Sequence, residues 1–134
     1  STKKIDIVQG YLNVVGSAIT RVRIENDDIS KINIKEFTQS ISRKEFEFNI
    51  SINNGRNLIK LCGDKIIKKT RWHCHSNGFL WEVDEFHGHN EGLILAEIEL
   101  DSEDQIFVKP DWVGKDVSQE KRYYNTTLAG ASYI

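Results

Sequence analysis

Lys69-Thr70-Arg71-Trp72-His73-Cys74-His75-Ser76-Asn77-Gly78-Phe79-Leu80-Trp81-Glu82-Val83-Asp84 is the stretch that decides the fold. Asn77-Gly78 stands between two strand-like runs, and Asn-Gly tolerates the positive φ that a two-residue hairpin needs at both central positions. Alternate side chains of a strand point to opposite faces. Before the turn, Lys69, Arg71 and His73 therefore share one face; after it, Glu82 and Asp84 share one, with Trp81 and Val83 on the other. One hairpin thus carries a cationic pair on one strand and an anionic pair on the next.

Working outward, the same like-signed spacing recurs at Arg21/Arg23, at Glu45/Glu47 with Arg43 extending it, and at Glu97/Glu99; Asn33/Lys35 is a weaker version. Each pair lies in a run that reads as a strand: about 6–14, 19–26, 30–37, 43–50, 65–75, 79–87 and 93–101. Turn signals separate them at Asn26-Asp27-Asp28, Gln39-Ser40, Asn77-Gly78 and His87 to Gly92. The segment Ile52 to Cys62 is the best helix candidate, although Asn53-Asn54-Gly55 is a poor helix interior. A short helix is also expected near Val117–Tyr123, beyond the single proline Pro110.

The pattern predicts a mainly antiparallel β domain and leaves two architectures open. Val22, Ile24, Ile32, Ile34, Phe46, Phe48, Trp81, Val83, Ile94, Ala96 and Ile98 line one face of the strands, and the charged pairs line the other. Alternation by itself favours an apolar core with charges facing solvent. Two features favour the reverse, a barrel whose lumen is charged. Signs are segregated by strand rather than interspersed, and arginine prevails among the cations, which suits bidentate phosphate binding. Dry burial of so many ions would cost several kcal/mol each, so such a lumen must hold water, metal or a polyanion.

Bulk properties narrow the function. A chain of 134 residues makes one domain, burying roughly 65–70% of its unfolded surface. The net charge of −2 provides no basic field for duplex nucleic acid. No apolar run approaches the ~20 residues of a membrane helix. Cys62 and Cys74 are too few for a disulfide framework, so reduced thiols and a cytoplasmic location are expected. His73-Cys74-His75 and His87-Gly88-His89 do not assemble a closed zinc site by spacing. Trp72, Trp81 and Trp112 read as outer-face packing.

The ordered landmarks Gln9-Gly10-Tyr11-Leu12, Arg21-Val22-Arg23-Ile24, Ile34-Lys35, Arg43-x-Glu45-x-Glu47, Lys69-Thr70-Arg71, Trp81 to Gly88, Gly92-Leu93, Ala96 to Leu100 and Trp112-x-Gly114-x-Asp116-Val117 resemble the CYTH superfamily. These are the triphosphate tunnel metalloenzymes, and the short bacterial tripolyphosphatase-type branch is the most similar. The resemblance spans nearly the whole chain and turns the expectation to a closed or nearly closed barrel with a charged lumen and one or two covering helices. It implies that Arg21, Arg23, Lys35, Arg43, Lys69 and Arg71 hold the oxygens of a triphosphate, that Glu45 and Glu47 bind a second metal or orient the attacking water, and that Glu97 and Glu99 ligate Mg²⁺ or Mn²⁺. Glu82 and Asp84 are expected to brace the arginines, and Tyr11 to hydrogen-bond a phosphate or a lysine, or to pack.

In one respect the chain departs from the family. A Glu-x-Glu-x-Lys strand belongs upstream of Gln9, where only Ser1 to Val8 stand, without a glutamate. The expectation is accordingly a fragment or a truncated domain of seven strands, impaired in metal binding and able to dimerise across an open edge. Metal-dependent hydrolysis of tripolyphosphate or a small organic triphosphate is the leading reading; a class IV-type adenylate cyclase and a catalytically impaired polyphosphate binder are the alternatives.

Overall fold

Seven strands, all paired antiparallel, form one sheet in the computed structural model, which describes residues 3–13, 18–36, 44–102, 105–114 and 128. They are β1 (Lys3–Asn13), β2 (Ala18–Glu25), β3 (Ile29–Glu36), β4 (Glu45–Ile50), β5 (Ile66–Ser76), β6 (Phe79–Phe86) and β7 (Ile94–Ile98), with helix α1 (Ile52–Leu61) between β4 and β5. The spatial order is β4-β3-β2-β1-β5-β6-β7. Asn77 and Gly78 both adopt positive φ in the β5–β6 turn, as the dipeptide requires. Asn26 and Asp27 do the same between β2 and β3, where the Asn26 side chain also accepts from the Asp6 backbone N–H at 2.9 Å.

Helix α1 carries the chain from the β4 edge back across the outer face of β3, β2 and β1. The weak Asn53-Asn54-Gly55 sequence lies in its first turn, where capping offsets poor propensity: the Ser51 hydroxyl accepts from the Asn54 N–H at 3.1 Å. Gly55 is buried where the helix approaches β3 so closely that a Cβ would overlap the Ser30 hydroxyl. Gly10 allows a similar approach at the other end of the helix, since its Cβ would stand 2.6 Å from Cys62 Sγ. Alanine at position 55 would raise intrinsic helix propensity by about 1 kcal/mol. The overlap wins: Gly55→Ala is expected to lose about 1–3 kcal/mol of stability, which urea denaturation will measure.

The two faces of the sheet are now distinguishable. α1 covers one part of the outer face, and Phe107 and Trp112 pack edge-on against Trp81 on another. On the opposite face lie Gln9, Asn33, Lys69 and Asp84, all buried, although no helix or second sheet among the described residues covers them. Curling of the sheet buries them. Tyr11, Ile67 and Phe86, from β1, β5 and β6, form a core on this concave side. Ile19 of β2 and Leu95 of β7 pack against it although four strand spacings separate their strands. Leu93 and Leu128 complete this apolar end, with the Leu128 carbonyl accepting from Asn90 Nδ2 at 2.8 Å.

The lumen is therefore the charged face, and the apolar-lumen alternative is set aside. Among the described residues β4 and β7 remain edges that do not pair with one another, so the barrel is curled rather than closed. β1 begins at Lys3, earlier than the residue pattern indicates, because Lys3 to Ile5 continue the ladder with β5. β7 ends at Ile98 instead of reaching position 101, leaving Glu99 just past the strand, its N–H on the Leu80 carbonyl at 3.3 Å. The helix expected at Val117–Tyr123 lies outside the described residues.

Candidate active site

Register, not sequence proximity, assembles the concave surface. Directly opposed residues of an antiparallel pair share a face. The ladder places Arg21 opposite Asn33, Arg23 opposite both Gln9 and Lys31, and Lys35 opposite Glu45. Glu47 faces Asn33, Arg71 faces Asp84, and Glu82 faces Glu97. Arg21, Arg23, Lys35, Glu45, Glu47, Lys69, Arg71 and Glu97 thus share the concave face, as strand parity predicts. Glu99 follows the same parity just beyond β7. Arg43 lies outside the described residues.

Two kinds of cation emerge. On β5 the positive charges are neutralised internally. Lys69 Nζ sits 2.8 Å from Asp84 Oδ2, and the Arg71 guanidinium grips the same carboxylate with Nε at 2.8 Å and Nη2 at 3.0 Å. Arg71 Nη1 also meets Glu82 at 2.8 Å. Burial works against the charge of Asp84, but the Arg71 fork and Lys69 outweigh it and hold the carboxyl below its ordinary range. Burial pulls the Lys69 ammonium down, opposed by Asp84, and the Phe86 ring 5.5 Å away supplies a further cation contact. For Arg71, burial is outweighed by the Asp84 hydrogen bonds and charge, and its pKa rises.

Across β1 and β2 the arrangement is different. Arg23 donates from Nε to the neutral Gln9 carbonyl oxygen at 2.9 Å, and Gln9 Nε2 donates to the Tyr11 hydroxyl at 2.8 Å. Among the described residues no carboxylate lies within ion-pair distance of Arg21, Arg23 or Lys35. Desolvation first, and then the charges of Arg21 and Arg71, push the Arg23 pKa down. The Glu25 carboxylate, two residues along β2, acts on Arg23 in the opposite direction but does not offset burial and the neighbouring arginines.

The carboxylates gather toward the two edges. Glu45 and Glu47 on β4 are held by the Asn33 amide at 2.6 and 3.5 Å, and Lys31 lies 3.7 Å from Glu47. Glu97 lies on β7, beside Glu82. No group of three metal-ligating side chains comes together among the described residues, in the histidine-cysteine segments or elsewhere. His73 approaches Glu82 at 3.5 Å, and His87 meets Thr70 at 2.8 Å. A shallow groove of about 380 Å³ lies on the opposite, outer face, lined by Trp72, Cys74, Val83 and Trp112. None of the charged pairs lines it.

Parity found the charged residues but missed Gln9 as a partner of Arg23. Gln9 stands between Ile7 and Tyr11 on its face of β1, with no like-charged pair to mark it. Tyr11 packs in the apolar core, and its hydroxyl accepts from Gln9 Nε2.

Comparison with known proteins gives the lineage. The CYTH domain model matches residues 2–132. An inorganic triphosphatase of Acetivibrio thermocellus is 40% identical over 126 residues, spanning 93% of this chain and 80% of its own. One from Nitrosomonas europaea is 32% identical over 128 residues, spanning 93% and 84%. The crystal structure of an inorganic triphosphatase superposes with a TM-score of 0.79 at 30% identity, covering 100% of this chain and 87% of that one. A conserved hypothetical protein from Pyrococcus furiosus, 24% identical with a TM-score of 0.54 over 76% of this chain and 65% of its own, shares the fold alone. With the match covering almost every residue and the charged strands falling on one concave face, this chain belongs to the CYTH domain family.

Proposed function

We propose that this chain is a single CYTH domain that hydrolyses inorganic tripolyphosphate inside the curled sheet. The observation that carries the reading is the set of cations without carboxylate partners among the described residues, Arg21, Arg23 and Lys35, on a concave face that also holds Lys69 and Arg71. Such a surface is costly without an anion and favourable with one. Two relatives similar over most of the chain carry the name inorganic triphosphatase.

In the reaction a water oxygen bonds to a terminal phosphorus, the bridging P–O bond breaks, and orthophosphate and pyrophosphate leave. Arg21, Arg23 and Lys35 hold the phosphoryl oxygens, joined by Arg43 by analogy with the family. Lys69 and Arg71, fixed by Asp84, present their remaining N–H groups. Charge spreads over the equatorial oxygens and the leaving group during in-line displacement, and fixed donors stabilise it. Glu45 and Glu47 orient the water and take up its proton. Adenylate cyclase chemistry ranks lower because the concave-face aromatics Tyr11 and Phe86 are packed in the core, where they cannot stack on a base.

Exposed carboxylate oxygens suit a hard divalent cation, and one or two protein carboxylates suffice when substrate phosphates and water complete the shell. Glu97 and Glu99 would hold it, with Mg²⁺ or Mn²⁺ as the ion. A bound cation there supplies further neutralisation of phosphate charge. No helix among the described residues is long and apolar enough to cross a membrane. Both cysteines are free thiols, the state that a reducing cytoplasm maintains. Among the described residues β4 and β7 are unpaired edges, open to a further strand or to a second copy of the chain.

Orthophosphate release from tripolyphosphate is the test. It is expected with Mg²⁺ or Mn²⁺, to fall to background with EDTA, and to strengthen when a Glu-x-Glu-x-Lys strand is joined upstream. A chain that neither binds nor hydrolyses tripolyphosphate in either form overturns the reading.

A further inference from the structure

Arg71 and Arg23 stand on strands flanking β1, yet the sheet treats them in opposite ways. Arg71 is locked to a carboxylate by its Nε and Nη2. Arg23 is locked through the same Nε position, at 2.9 Å, but to the carboxamide of Gln9. Gln9 is fully buried. Its neighbours on the concave face are Arg23 on β2, Ile67 on β5, and Ile7 and Tyr11 along β1. None of these direct neighbours is acidic; Glu25, two residues along β2 on the same face, acts on Arg23 through its charge but pairs with Lys31 at 3.7 Å. The orientation of the amide follows from the donors: Arg23 Nε–H can only donate, so the Gln9 oxygen faces it and the NH₂ group faces the Tyr11 hydroxyl.

We propose that Gln9 is a positioning residue for polyanion binding. It fixes the Arg23 guanidinium by a hydrogen bond that adds no negative charge, and so leaves the positive charge of Arg23 for the ligand. A glutamate of the same size would fix the side chain equally well and neutralise it, as Asp84 does for Arg71. The pair is therefore tuned by charge rather than by shape. Burial makes the choice consequential, because screening is weak where Arg23 lies and an adjacent carboxylate would compete directly with phosphate oxygens. The inference rests on the triphosphatase reading only in its ligand class, a linear polyphosphate anion.

The test compares Gln9→Glu and Gln9→Leu with the wild-type chain, using calorimetric binding of tripolyphosphate in EDTA so that nothing turns over. In Gln9→Glu the introduced carboxylate can accept from both Arg23 and the Tyr11 hydroxyl, so the fold is retained, which circular dichroism checks. Gln9→Glu is expected to weaken binding on the order of 30-fold, the scale of an opposite charge placed beside a partly buried guanidinium. Gln9→Leu, which removes the hydrogen bond but adds no charge, is expected to lose only about 3–10-fold. The wild-type to Gln9→Glu affinity ratio should shrink as pH is lowered from about 8 to about 5, because a bound polyanion favours protonation of the introduced carboxyl. A purely structural role would not move with pH. Equal affinities for wild type and Gln9→Glu overturn this inference while leaving the triphosphatase reading intact. Absence of wild-type binding overturns that reading itself, and with it the ligand class assumed here.

Discussion

Asp84→Ala is expected to cost about 3–5 kcal/mol of folding stability, the largest effect of any single substitution on the concave face. The Lys69 side chain is 0% exposed, and Asp84 is its only carboxylate within ion-pair distance among the described residues. Removing that carboxylate strands a buried ammonium and frees the Arg71 fork at the same time. Asp84→Asn keeps the shape and one acceptor oxygen, so its cost should be smaller. Lys69→Met in the Asp84→Ala background removes the stranded charge and should recover part of the loss, a positive coupling visible in a double-mutant cycle. Urea denaturation of these variants and of Lys69→Met alone measures it. Asp84→Ala within about 1 kcal/mol of wild type would show that water reaches Lys69 and that the ion pair is not dry.

The sign of the pH dependence follows from the same contacts. Asp84 has its folded pKa held below the unfolded value, by Arg71 and Lys69 against the opposing effect of burial. Its contribution is therefore fully present above the unfolded carboxylate pKa of about 4 and is lost as pH falls through the lower folded value. Asp84→Asn should be less stable at neutral pH and should flatten the acid limb of the stability profile below about pH 4.

Arg23→Ala is the second large effect, and it separates function from folding. Loss of this guanidinium should weaken tripolyphosphate binding by about 1.5–3 kcal/mol, the scale of a charge-assisted contact. Folding stability should change less than binding: relief from the field of Arg21 and Arg71 is set against loss of the hydrogen bond to the buried Gln9 carbonyl and of the attraction of Glu25. Like-charge repulsion, read from the pairs alone, suggests a small or favourable effect on folding for Arg71→Ala. The Asp84 and Glu82 contacts of Arg71 reverse that expectation. Arg71→Ala should lose affinity and stability together. Calorimetry with tripolyphosphate and thermal melts of both variants decide the matter: unchanged affinity in Arg23→Ala would remove it from the anion site.

Much of this molecule can be read from its residues in order. Strand periodicity put the charged pairs on a common face, because a pleated strand gives no other option to side chains two apart. Asn77-Gly78 specified its hairpin, because both residues tolerate positive φ. The helix at Ile52–Leu61 was visible despite its weak first turn, whose stability comes from the Ser51 cap and from contact with Ser30. Ordered motifs supplied the lineage. Which face was concave could not be settled by alternation, which is the same for a charged exterior and a charged lumen.

Tertiary structure decided that, and it decided which charges are spent. Strand order places β1 between β2 and β5, bringing Gln9 to an arginine 14 positions away in sequence and leaving Arg23 without a carboxylate among the described residues. The β5–β6 register sets Asp84 against Arg71, with Lys69 alongside. Sequence spacing records the sign of each charge and its parity along a strand. Whether that charge is neutralised depends on the partner across the ladder and on how tightly the curled sheet excludes water, and both are set by long-range pairing.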